Sequence, residues 1–140
     1  MKLRSRLSPA IALLAIFMSS LVNAQQARPA IPPMYKASPL EIAYLPKYCY
    51  HQYVDGALSG PKFSIPAEYC GYEMNHFCPA LVFIVQATQV SRPLSERRGS
   101  VNHAIEEVNY TIRGMKPGCY IAQDVKRAMD RARSLSAIIK

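Results

Sequence analysis

Between residues 95 and 115, Val101, Ala104, Ile105, Val108, Ile112 and Met115 recur at the i, i+3, i+4, i+7 spacing of one helix face. Asn102, His103, Glu106, Glu107, Asn109 and Arg113 fill the opposite face, with His103 and Glu107 placed as an ordinary surface pair one turn apart. Gly114 and Lys116-Pro117-Gly118 end this helix. The break at Arg92-Pro93 precedes it, and Ser91 or Ser95 stands ready to cap its start. The run from Phe77 to Val90 is more apolar: Leu81, Val82, Phe83, Ile84, Val85, Ala87 and Val90. Its β-branching suits a buried strand, but its length without a turn signal predicts a helix over residues 77–90. Asn75 is its natural N-cap, and Pro79 falls in the first turn, where a missing N–H costs little.

A third helix is predicted over residues 120–138, with Ala122, Val125, Met129 and Ala132 on one stripe and Ala128 and Leu135 beside it. Its alanines imply close approach of a neighbour. Lys126, Arg127, Arg131 and Arg133 cover the rest. A basic helix can lie on anionic lipid, but this stripe is weak for membrane burial, so a solvated face is the reading. Pro39 can open a first helix, Pro46 argues for a break or a fresh start, and a helix is expected over residues 46–54, ended by Asp55-Gly56. Residues 55–70, punctuated by Gly56, Gly60, Pro61 and Pro66, read as a loop that drops Phe63 and Ile65 onto the core. The fold expected is all-α: a small disulfide-stapled domain of about four helices.

The N-terminus changes how much of the chain counts as fold. Lys2, Arg4 and Arg6 precede a short apolar run from Ile11 to Val22, and Val22-Asn23-Ala24 offers small residues for cleavage. This is the pattern of a secretory signal peptide over residues 1–24. The run falls short of the roughly 20 apolar residues of a membrane span. No second apolar span holds the chain in a bilayer, so no integral membrane segment is expected after cleavage. Residues 25–39, with Pro29, Pro32, Pro33 and Pro39, read as an extended leader. Residues 40–140 are left as a single helical domain. Loss of residues 1–24, which carry three basic and no acidic side chains, lowers the net charge from +8 to +5. A mildly basic, exported domain with scattered cations is not a nucleic-acid binder by composition. The expected destination is the periplasm or the exterior.

Four short stretches carry a resemblance. Leu45-Pro46-x-Tyr48-Cys49 is followed by Asn75-His76-Phe77-Cys78-Pro79-Ala80-Leu81, then an Arg-rich turn, then Ala104-Ile105-Glu106-Glu107-Val108-Asn109-Tyr110. Residues 45–135 thereby resemble exported proteobacterial proteins of unassigned biochemical role with tetratricopeptide-like helical hairpins. The resemblance implies an α-helical array and supplies no catalytic residue. Tetratricopeptide repeats recur about every 34 residues, and about three are needed for a stable stack. Here there is material for about one and a half hairpins. Gln86, Ala87 and Val90 stand where the small-aromatic signature of the first helix would be. The chain reads as a stapled, truncated relative that need not form a peptide-binding groove.

All four cysteines, Cys49, Cys70, Cys78 and Cys119, follow the leader, and an even count in a small exported domain reads as a disulfide framework. Antiparallel neighbours would bring the start of the 77–90 helix near the end of the 95–115 helix. Cys49–Cys78 with Cys70–Cys119 satisfies that arrangement and ties three helices together. Cys49–Cys70 with Cys78–Cys119 is the other candidate. Met74, His76 and Cys78 alternate as a soft-donor set that could suit copper(I), which makes Met74 and His76 the metal-binding alternative. Glu73 and His76 form a lone Glu-x-x-His, where a di-iron site needs two such motifs and two more glutamates. His51 stands alone in an aromatic setting, and a Cys–His nucleophile pair lacks a free thiol and an orienting group. The reading is therefore a non-enzymatic domain without a cofactor, acting in protein interaction or envelope structure, with another envelope protein as partner. Tyr48, Tyr50, Tyr53 and Tyr72, with Tyr69, gather in the N-terminal half and are the interaction candidates.

Overall fold

The computed structural model describes residues 35–140; the expected signal peptide and residues 25–34 of the leader lie outside them. Six α-helices occur among the described residues, and no strand. They are α1 (Pro39–Ala43), α2 (Tyr50–Tyr53), α3 (Ala67–Cys70), α4 (Phe77–Thr88), α5 (Leu94–Gly114) and α6 (Ala122–Ile138). The three long ones match the three expected helices to within two residues at each end. The helix expected over 46–54 is shorter and tighter: a 3₁₀ turn over Lys47–Cys49 leads into the single turn of α2. Pro46 has an extended backbone and permits nothing longer on its N-terminal side. The expected loop over 55–70 contains two 3₁₀ turns, Gly56–Ser59 and Pro61–Phe63, and then α3. Ile65 does pack on the core, whereas Phe63 stacks on Tyr50. No helix among the described residues is long and apolar enough to cross a membrane.

Helices α4 and α5 pair antiparallel. His76, just before α4, meets Glu107; Phe83 stacks on His103; Gln86 lies by Ser100; and the Ala87 carbonyl accepts from Arg97. Partner numbers fall as α4 residue numbers rise. Helix α6 packs on both α4 and α5. Ala80, Ala104, Ala128 and Ala132 are all buried, so small side chains let the three helices approach closely. Phe77, Ile84, Val108 and Val125 fill the space between. A satellite core of Leu45, Cys49, Cys78 and Val82 seats the N-terminal segment on α4.

Two helix starts differ from expectation. Asn75 does not cap α4; it sits in a 3₁₀ turn, Tyr72–His76, and His76 takes the N-cap position with helical backbone angles. The 3₁₀ turn hands directly into the α-helix, with the Phe77 N–H bonded to the Met74 carbonyl, so no side-chain cap is required. Neither Ser91 nor Ser95 caps α5; Pro93 is its N-cap, without a side-chain bond. The capping box is at α1 instead. Ser38 Oγ accepts from the Glu41 N–H at 3.3 Å, and the Ser38 N–H donates to Glu41 Oε2 at 2.7 Å.

Glu41 is almost fully buried, and its other oxygen accepts from Arg92 Nη2 at 3.0 Å. One carboxylate therefore caps α1 and ties it to the turn between α4 and α5. Burial pushes the Glu41 pKa up, but hydrogen bonds from Ser38 and the Arg92 guanidinium outweigh it and hold it below the ordinary 4.5. A depressed folded pKa means that the stability it contributes is complete above the unfolded pKa. It is lost as pH falls through the folded value. Glu41→Gln is expected to cost about 1–2 kcal/mol at pH 7 in urea unfolding. The gap to the parent protein is expected to hold down to about pH 5 and to shrink below it.

Candidate interaction surface

The stretch from Cys70 to Val85 is held by both disulfides. Cys49 bonds Cys78 with Cα atoms 5.5 Å apart, and Cys70 bonds Cys119 at 4.6 Å. No free cysteine remains among the described residues. Met74 and His76, two residues apart, leave the turn in different directions. Met74 is 2% exposed and packs in the main core. His76 points into a polar strip on α5, its Nδ1 2.6 Å from Glu107 Oε2 and its Nε2 3.4 Å from Glu73 Oε2. Its ring stacks on Tyr110 at 5.0 Å, and the Arg113 guanidinium lies over the Tyr110 ring at 4.3 Å. With Cys78 bonded to Cys49 and Met74 in the core, the soft-donor set is not brought together. No group of three or more His, Cys, Asp or Glu side chains suited to a metal ion occurs among the described residues.

Glu107 was expected on the solvated face with His103; it is 6% exposed instead. Tyr35 donates its hydroxyl to Glu107 Oε1 at 2.9 Å while His76 takes Oε2, so both carboxylate oxygens are engaged. His103 turns to Glu106 at 3.6 Å and stacks on Phe83. Thr111, four residues on, is fully buried and donates to the Glu107 carbonyl at 3.0 Å, while Ile112 is exposed. The buried face of α5 is thus rotated from the apolar stripe toward Ser100, Ala104, Glu107 and Thr111. Burial and then the Glu107 hydrogen bond raise the pKa of Tyr35. Glu107→Gln keeps the shape but removes the charge from two hydrogen bonds. It is expected to destabilise the fold by about 1–3 kcal/mol, read by urea unfolding at pH 7.

The tyrosines divide. Tyr48 stacks on Phe77 and donates to Asp124 Oδ2 at 2.9 Å. Tyr50 stacks on Phe63, and Tyr53 packs against the satellite core with its hydroxyl buried and without a hydrogen-bond partner among the described residues. Burial raises the pKa of both Tyr48 and Tyr53. These three are parts of the fold and not a solvent-facing aromatic cluster. Tyr72 differs: it is 84% exposed, and it borders a hollow of about 190 Å³ beside His51, Gln52 and Asn75. Tyr69 is 66% exposed, and Tyr44, which sequence reasoning missed, is 70% exposed. Tyr44 follows directly on α1, whose short length leaves its ring outside the core.

A larger groove of about 410 Å³ opens between residues 44–48, α4 and α6. Leu81, Ile84 and Val85 form its floor, and Tyr44, Leu45 and Pro46 form one wall. The opposite rim is α6, with Asp124, Arg127 and Arg131. Asp124 is already held by the Tyr48 hydroxyl and paired with Arg127. Arg131 is exposed and has no acidic partner among the described residues. The periodicity of α4 hinted at this floor, because Leu81 and Val85 lie one turn apart and only partly buried.

No protein-family model matches the chain, and no curated protein or solved structure shows significant similarity to it.

Proposed function

We propose that this chain is a non-enzymatic, exported helical domain that acts by binding another protein of the cell envelope. The observation that carries this reading is the exposure of Tyr72 on a turn anchored by two disulfides. A large amphipathic ring carried on a disulfide-constrained backbone costs little backbone freedom on binding, and tyrosine is enriched in protein interfaces. Export is supported by the N-terminal pattern of residues 1–24 and by cysteines that are all disulfide-bonded, since such bonds persist in oxidising compartments.

Site-specific photo-crosslinking tests the reading in cells that produce the protein. With p-benzoylphenylalanine in place of Tyr72, irradiation is expected to give one discrete adduct with an envelope protein. The same group in place of exposed Arg98 is expected to give none. Equal, diffuse labelling from both positions, or no adduct from either, would reject a binding role for this face.

A further inference from the structure

Resting on that reading of a protein partner, we propose that the groove between residues 44–48, α4 and α6 docks an acidic amphipathic helix of the partner. The floor sets the shape of the occupant. Leu81 and Val85, both partly buried, stand one turn apart above the buried Phe77 and Ile84, so the open apolar stripe runs about 6 Å along α4. That length matches one turn of a helix presenting apolar side chains at i and i+3 or i+4. A volume of about 410 Å³ takes those side chains and leaves the docked backbone at the mouth.

The rim sets the charge. Its polar side is one-sided, because all three charged groups lie on α6. Asp124 is occupied by Tyr48 and Arg127, which leaves Arg131 as the charge still to be matched. Arg127 and Arg131 stand one turn apart on the same face. A carboxylate on an incoming helix, one turn from its apolar side chains, would meet the Arg131 guanidinium, which donates in planar, two-point pairing. A basic segment would face uncompensated repulsion at this rim. The other wall ends in Tyr44, whose exposed ring can close over an apolar side chain seated on Leu81.

The test uses the full chain in its own cells, with p-benzoylphenylalanine in place of Tyr44 and the crosslinked peptide sequenced by mass spectrometry. The expected adduct is a segment of another protein with acidic residues flanking apolar ones at three- and four-residue spacing. Arg131→Glu is expected to reduce that adduct about tenfold or more, and Arg131→Lys to reduce it less, because the charge is kept and only the two-point pairing is lost. Arg131 is exposed, so the charge reversal leaves the fold intact, checked by an unchanged urea midpoint. A basic or extended partner segment, a peptide from residues 1–34, a second copy of the chain or a lipid adduct would each overturn the proposal. So would an adduct indifferent to Arg131→Glu, or none at all. Persistence of the Tyr72 adduct in those cases confines the failure to this groove; loss of both adducts removes the wider reading as well.

Discussion

Gly71→Ala is expected to destabilise the protein by about 3–5 kcal/mol, enough to leave little of it folded at 37 °C. Two effects act at once. Gly71 has φ +100°, a region that side chains with a Cβ rarely adopt. A Cβ there would also stand 2.1 Å from the Gly114 carbonyl oxygen, which is backbone at the end of α5 and has no rotamer to change. The contact is close because the Lys116 N–H donates to the Cys70 carbonyl at 3.0 Å and Cys70 is bonded to Cys119. Those links draw the two segments together around the missing side chains. Gly114 makes the reciprocal approach: a Cβ on it would stand 2.1 Å from Glu73 Cγ and 2.4 Å from its Cβ. Gly99→Ala is the control. Gly99 lies inside α5 with nothing near its would-be Cβ, so alanine there is expected to stabilise the fold by about 0.5–1 kcal/mol. Urea unfolding of the three proteins with disulfides intact reads both effects. A Gly71→Ala protein within about 1 kcal/mol of the parent would show that the 70–71 and 114–116 segments can part without loss.

Removing the disulfides is expected to give two different outcomes. Cys70–Cys119 closes a separation of 49 residues and Cys49–Cys78 one of 29. Constraint of the unfolded chain alone assigns them about 4 and about 3.5 kcal/mol. Their surroundings separate them further. Cys70 and Cys119 lie in the main core with Met74, Phe77 and Ile121, so Cys70→Ala with Cys119→Ala is expected to lower global stability by the whole of that amount. Cys49 and Cys78 lie in the satellite core, and residues 39–66 are built from single turns and 3₁₀ segments that lack long hydrogen-bonded runs. Such a segment depends on its attachments and opens independently of the helices beneath it. Cys49→Ala with Cys78→Ala is therefore expected to erase amide-exchange protection in residues 39–66 while α4, α5 and α6 keep theirs. Uniform loss of protection across all helices would show that the N-terminal segment and the bundle fold as one unit.

Much of the architecture was legible in the sequence. The three long helices and the pairing Cys49–Cys78 with Cys70–Cys119 are present where the pattern placed them. Helix periodicity and termination are written in residues three or four apart, so a single strand of sequence carries them. The pairing followed because an antiparallel α4–α5 hairpin leaves few positions for Cys119. The candidate interaction residues were less legible. Tyr48, Tyr50, Tyr53 and Tyr72 look alike along the chain, yet only Tyr72 stands in water. Whether a tyrosine is exposed depends on what lies opposite it, and Asp124 and Phe77 are distant in sequence from Tyr48.

By itself, the sequence determined an all-α chain stapled by cysteines, because backbone propensity, spacing and turn residues act locally. Tertiary structure alone decided which flank of each stripe turns inward. It buried Glu107 and Thr111 and exposed Ile112, since α5 is pressed between two helices and His76 and Tyr35 supply partners for the carboxylate. It sent Met74 into the core and His76 onto α5, though they are two residues apart, because a 3₁₀ turn does not keep alternate side chains on one side. It also brought Gly71 against Gly114 and opened the groove beside Arg131, contacts between segments more than 40 residues apart that no local pattern encodes.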